Sequence, residues 1–201
     1  FLTERQANSA SDYLNVFAAQ CEAELGEVSC LPGPTGERNE LSLHPRGVVL
    51  CITQDSTAFD LIVQIGVALA AGNSVLFWHP VERVGAYLES LFVTAGVPVA
   101  ALIGLPASGD AELLDVVADS RFGAISCAGQ LSERRQIAVR LAASDGAIRP
   151  LIPFVQLDAA HNLRGDPPAG SPRYLHRFVL ERVLSIDTTA SGGNAGLFSL
   201  D

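Results

Sequence analysis

RGVVLCITQDSTAFDLIVQIGVALAAGNSVLFWHPVE, residues 46–82, reads as strand, helix, strand. Residues 47–52 are a short apolar run rich in β-branched side chains, as a strand buried on both faces requires. Gln54, Asp55 and Ser56 follow, polar residues suited to starting a helix. Ala58, Ile62, Ile65 and Leu69 then recur at helical spacing and predict one apolar stripe. Gly72 and Asn73 stop the helix, since both tolerate the left-handed conformation of a C-terminal cap. Residues 74–78 are the second strand. So short a helix-to-strand connection belongs to a right-handed crossover between parallel strands.

The alternation continues past Glu82. Val84, Leu88, Leu91 and Ala95 stripe a second helix stopped by Gly96, and residues 99–103 are a third strand. Ala111, Leu114, Val117 and Ala118 mark a third helix capped by Asp110, and 122–127 is a fourth strand. Ser132-x-x-Arg135 opens a fourth helix carrying Ile137, Val139, Leu141 and Ala142 and ended by Asp145-Gly146. Residues 148–157 are a fifth strand, either at a sheet edge or irregular, because Pro150 and Pro153 have no N–H for a ladder. Strands alternating with helices in this way predict an α/β fold, doubly wound and Rossmann-like, with a mostly parallel five-stranded sheet.

Upstream, Tyr13, Val16, Phe17, Cys21 and Leu25 line one face of a helix over 9–26, closed by Gly26. Residues 31–47 read as a loop and a short extended piece with alternating Leu41 and Leu43. Gly33-Pro34-Thr35-Gly36 lacks the lysine and following hydroxyl of a P-loop and reads as a tight turn. Downstream, 159–171 is a linker or surface loop and 173–184 an amphipathic helix. In 185–200 two β-capable runs flank a glycine-rich turn, which predicts a hairpin. A lone hairpin is marginal in water, so this one packs on something or adds its edge to another sheet. The chain thus divides into an N-terminal helix and connector (1–44), a Rossmann-like domain (45–158) and a linker, helix and hairpin flap (159–201).

A net charge of −9 and an isoelectric point near 4.8 argue against nucleic acid and anionic membrane surfaces as partners. All 13 basic residues are arginine, so chemistry that needs a lysine is excluded. No apolar run approaches the roughly 18 residues of a membrane span. The opening Phe1-Leu2-Thr3-Glu4 is no secretory signal and lacks an initiator Met, so the chain is expected to be cut from a longer protein. The four cysteines form no CxxC pair, and Cys51 and Cys127 fall in strands, which predicts buried thiols in a reducing, cytoplasmic compartment.

Residues 45–158 resemble the cofactor domain of the aldehyde dehydrogenase superfamily. The matching residues are Pro45, Gly47, Val48 and Val49; then Ala68-Leu69-Ala70-Ala71-Gly72-Asn73; then Trp78-His79-Pro80-Val81-Glu82. Leu91-Phe92-x-x-Ala95-Gly96-Val97-Pro98 and Phe122-x-x-Ile125-x-x-Ala128-Gly129 continue the match. Two further motifs, residues 31–39 with 43–47 and the tail Glu181-Arg182-x4-Asp187-Thr188-Thr189-Ala190-Ser191-Gly192-Gly193-Asn194-Ala195, resemble the bifunctional proline utilization enzymes of bacteria. Asp187, Ser191 and Gly196 depart from that family's tail. The resemblance implies a parent chain with an FAD-dependent proline dehydrogenase and an NAD-dependent L-glutamate-γ-semialdehyde dehydrogenase, of whose cofactor domain this segment looks like a degenerate copy.

The same resemblance sets the test for chemistry. An aldehyde dehydrogenase needs a thiolate nucleophile, an oxyanion donor, a carboxylate base and a cofactor site. Here the chain passes from the fifth strand to the linker, leaving no room for the nucleophile's domain. Phe154-Val155-Gln156-Leu157-Asp158 carries glutamine where the family's base stands. The lysine that contacts the cofactor's ribose is replaced at Trp78-His79. The turn against the pyrophosphate is matched by Ser126-Cys127-Ala128-Gly129, and the oxyanion asparagine is lost in Thr53-Gln54-Asp55. Cys127 beside His79 would make a nucleophile and base, but a cysteine in an apolar strand reads as inert core. Trp78 reads as a surface or interface aromatic. His44, His161 and His176 show no metal-ligand spacing.

The expectation is therefore a segment without catalytic, cofactor-binding or metal residues of its own. It would support the dehydrogenase module of the same polypeptide and the passage between active sites. The flap would make the contact through Ile186, Asp187, Thr188, Thr189, Ala190, Gly192, Gly193, Asn194 and Leu197. Self-association through the hairpin is a further expectation. The alternatives are a residual NAD-binding or sensor domain, and a solubility or oligomerisation module.

Overall fold

Strand β3 (Val48–Thr53) lies at the centre of the molecule because its residues are apolar toward both faces. The computed structural model describes residues 2–54, 58–107, 109–154 and 172–188. The chain moves outward from β3 through β4 (Ser74–Trp78) to β5 (Leu102–Gly104), then returns to the other side of β3 for β6 (Phe122–Ala128) and β7 (Leu151–Pro153). The sheet order is β5-β4-β3-β6-β7, and every pairing is parallel. Val49, Cys51, Val75 and Phe77 point to one layer, and Leu50, Ile52, Trp78 and Cys127 to the other. Helices α2 (Ala58–Ala70) and α3 (Glu82–Thr94) cover the first face, and α4 (Asp110–Val117) and α5 (Leu131–Ala142) the second. The doubly wound, five-stranded parallel sheet expected from the sequence is thus the observed one.

Helix α2 differs from the single stripe expected. It is buried on nearly all sides, from Asp60 through Ala68, because α1 (Glu4–Glu24) lies across its outer surface. The approach is close at Gly66, where an added Cβ would overlap the Leu14 side chain. Helix α1 starts earlier than periodicity suggested, at a capping box formed by Thr3 and Gln6. Its Phe17 is buried, whereas Val16 is exposed. The α2 stop is as expected: Gly72 has φ +81, its N–H donates to Leu69 O, and Asn73 N–H donates to Ala68 O, a Schellman motif.

Other stripes shift by a residue. On α3 the buried positions are Val84, Leu88 and Phe92, with Leu91 exposed. On α4 they are Leu113 and Val117, and Asp110 is the first helical residue after the cap Gly109. On α5 Ile137 is buried while Val139 is exposed, and the helix ends at Ala142, before Asp145-Gly146. Residues 99–101 form a 3-10 turn, because Pro98 O accepts the Ala101 N–H, so the third strand begins only at Leu102. The fifth strand is at the edge, as expected, and is short. Phe154 N–H donates to Cys127 O, so Pro153 sits where its missing N–H faces away from β6.

The largest departures lie in the flanking segments. Residues 29–45 form a hairpin, β1 (Ser29–Leu31) and β2 (Glu37–Pro45), around a turn in which Pro34 O accepts the Glu37 N–H and Gly36 takes φ +92. The segment expected to be an amphipathic helix over 173–184 is helical only at α6 (Pro172–Leu175) and a following 3-10 turn, His176–Phe178. It then becomes β8 (Val179–Asp187), antiparallel to β2 across nine register pairs from Glu37–Asp187 to Pro45–Val179. The leucine and valine spacing of 179–186 suits either period, and β2 supplies the pairing that decides it. Ser185, Ile186 and Asp187 therefore pair with β2. The expected hairpin turn and returning run, with Thr189, Ala190, Gly192, Gly193, Asn194 and Leu197, lie outside the described residues, as do residues 155–171.

Candidate functional site

Doubly wound sheets bind ligands at the carboxyl ends of their strands where the winding reverses. Here that point lies between β3 and β6. Gln54 follows β3 and its N–H reaches Ala128 O at 3.4 Å; Gly129 and Gln130 follow β6 and lead into α5. The turn after β6 therefore overlaps the stretch 126–129 that the resemblance matched to the family's pyrophosphate-facing loop. Glu133, in the first turn of α5, folds back so that its Oε2 accepts the Gln130 N–H at 2.7 Å. The same oxygen lies 2.6 Å from where a Cβ on Gly129 would stand, and Gln54 Oε1 is 3.6 Å from that point. Gln54 Oε1 is buried and has no hydrogen-bond partner.

At the end of β4 stands His79, in the stretch Trp78-His79 where the resemblance expects the family's lysine. Its ring turns inward and is 2% exposed. Val81 N–H donates to Nδ1 at 2.9 Å, which leaves the proton of the neutral ring on Nε2, a buried atom without a partner. Burial holds the imidazole below its usual range. Trp78 is not a surface aromatic: it is 3% exposed and packs with Leu50, Leu113 and Val117 against the α4 face. Cys127 is fully buried, its Sγ donating to Ala128 O at 3.6 Å. It stands on β6 and His79 follows β4, with β3 between, so two strand spacings of about 5 Å each separate them. They form no nucleophile–base pair.

The remaining candidates are dispersed. His44 bonds Ser42 Oγ at 2.9 Å on the exposed part of β2. His176 bonds Glu24 at 2.5 Å and ties the tail to the end of α1. Among the described residues no three His, Cys, Asp or Glu side chains group as metal ligands. Gln156 and His161 lie outside the described residues.

The second functional feature is β8 itself. Among the described residues it pairs only with β2. Eight of its nine residues are exposed, including Leu180, Val183 at 61%, Leu184 and Ile186. Its stem is held firmly. Tyr174, Leu175 and Phe178 are fully buried, and the Tyr174 ring lies 6.1 Å from Phe17 and 5.3 Å from Phe178. Asn73 Nδ2 donates to Phe178 O and Ala68 O, both at 3.0 Å, and Arg46 N–H donates to Asn73 Oδ1 at 2.8 Å. Arg46 Nε donates to Arg177 O at 2.6 Å. An exposed apolar strand thus leaves a rigid anchor. Sequence reading placed the flap near this strand but missed Asn73 and Arg46, whose partners lie over 100 residues away.

This sheet order, with the crevice at its winding reversal, is that of a dinucleotide-binding scaffold. The chain belongs to the aldehyde dehydrogenase family, whose model matches residues 2–151. Its relatives include the bifunctional protein PutA of Escherichia coli K12, 34% identical over 178 residues, which are 89% of this chain and 12% of that protein. The PutA of Rhizobium meliloti is 33% identical over 171 residues, 85% of this chain and 12% of that protein. A crystal structure of a Bradyrhizobium japonicum proline utilization A variant superposes with a TM-score of 0.66 at 32% identity, covering 74% of this chain and 16% of that one. The chain therefore spans about an eighth of the length of the curated relatives it matches.

Proposed function

We propose that this chain is a non-catalytic domain of a bifunctional enzyme that oxidises proline to glutamate. In this reading it supports the semialdehyde dehydrogenase module, and the passage between active sites, by contact. FAD and NAD would serve the catalytic modules of that polypeptide and not this segment. The observation that carries the reading is β8: an exposed strand bearing Leu180, Val183, Leu184 and Ile186 on a buried stem, with one edge unpaired among the described residues. An edge of this kind is a template for pairing with another strand, and left bare in water it invites aggregation. The likeness to PutA over most of the chain names the kind of polypeptide that would cover it.

The crevice supports the same reading. The lysine position holds a buried histidine, and the candidate nucleophile Cys127 is sealed in the core. A dinucleotide does not fit these residues well, since the turn after β6 presents the Glu133 carboxylate, which already takes the Gln130 N–H. The test is deletion of residues 186–200 from the full-length polypeptide, leaving the stem at Tyr174 and Phe178 intact. Semialdehyde oxidation and coupled proline-to-glutamate turnover should both fall. Undiminished rates would end the proposal.

A further inference from the structure

We infer that Glu133 closes the crevice between β3 and β6 to a dinucleotide by standing where its pyrophosphate would. This rests on the docking reading above and explains the crevice that reading leaves without a ligand. The start of a helix attracts an anion through its unpaired N–H groups and its dipole. At the start of α5 one of those donors is taken from within: Gln130 N–H, at the mouth of the turn, is bonded to Glu133 Oε2 at 2.7 Å. Glycine in such a turn lets a ligand approach the backbone closely. Here the close approach at Gly129 is made by the chain's own carboxylate, with Oε2 2.6 Å from the Cβ site. A phosphate brought to this place would lose its donor and meet a like charge in contact. His79, at the end of β4, offers that charge no cation: its ring is turned into the core with Nδ1 engaged by Val81.

The test is calorimetric titration of the whole chain and of its Glu133→Gln variant with inorganic pyrophosphate and with ADP at low ionic strength. Glutamine keeps an oxygen for the Gln130 N–H but removes the charge, so the variant should melt within a few degrees of the parent. The parent should give no binding heat at millimolar ligand. The variant should bind both ligands at least about tenfold more tightly, the scale expected when one contacting like charge is removed. Equal behaviour of the two proteins, whether both silent or both binding weakly, would overturn the role of Glu133 and leave the docking reading standing. Micromolar ADP binding by the parent would overturn both.

Discussion

Replacing Asn73 with alanine tests whether the anchor of β8 is built as described. The Asn73 side chain is 4% exposed and makes three hydrogen bonds, to Arg46 N–H, Ala68 O and Phe178 O. They join the end of α2, Arg46 two residues before β3 and Phe178 immediately before β8. Each hydrogen bond is worth about 1 kcal/mol net, and stranding its buried partners adds to the loss. Asn73→Ala should therefore destabilise the chain by about 3 kcal/mol. For a chain of this size that is a fall in Tm of roughly 6–12 °C. Urea unfolding followed by circular dichroism measures the loss, and an unchanged m-value would show that the folded state remains compact. Asn73→Asp keeps the acceptor for Arg46 N–H but sets a carboxylate against two carbonyls, so it should be no better than alanine. A loss below about 1 kcal/mol for Asn73→Ala would refute the bracket, since one solvent-exposed bond would account for it.

Arg149 donates to Val117 O, Ala118 O and Asp119 O and so caps the C-terminal end of α4. Arg149→Ala should cost about 2–3 kcal/mol, and Arg149→Lys less, because lysine keeps the charge but not the fork; urea midpoints decide. At Gly123 an added Cβ would stand 2.2 Å from the Arg46 carbonyl oxygen, beside the register shift at Val48 and Val49, whereas at Gly26 it meets nothing within 4 Å. Gly123→Ala should lower thermal stability severely and Gly26→Ala by less than about 0.5 kcal/mol in either direction, as calorimetry would show. His79 is held below its ordinary range by burial. The unfolded chain then takes up a proton near pH 6.5 that the folded chain refuses. The His79 contribution is whole above that pH and shrinks as pH falls through it toward the folded value. His79→Asn should flatten that limb of the stability–pH curve; an unchanged limb would place the pH dependence elsewhere.

The central sheet was legible because its strands are contiguous apolar runs and its helices end on Gly72 and Gly96, signals that are local. Helix faces were legible only to within a residue, since α2 is covered by α1 as well as by the sheet and no stripe records that. β2 and β8 were misread for the opposite reason. Glu37, Arg38, Asn39 and Glu40 carry little strand preference, and the pairing that makes them a strand comes from residues 179–187. Trp78 was read as a surface or interface aromatic, yet it is buried against the α4 face, a contact that its own stretch of sequence does not record. The role of Glu133 had a readable sign: Gln130-x-x-Glu133 has the spacing of a capping box. Helix-start reasoning settled instead on Ser132 and Arg135.

Amide hydrogen exchange along β8, compared between the chain alone and the full-length polypeptide, tests directly whether this domain acts by contact. The account predicts that those amides of residues 180–187 that do not bond to β2 exchange readily in the isolated chain and become protected in the full-length polypeptide, while those of β3 stay protected in both. Equal exchange of β8 in the two would mean that nothing docks there, and the account would fail.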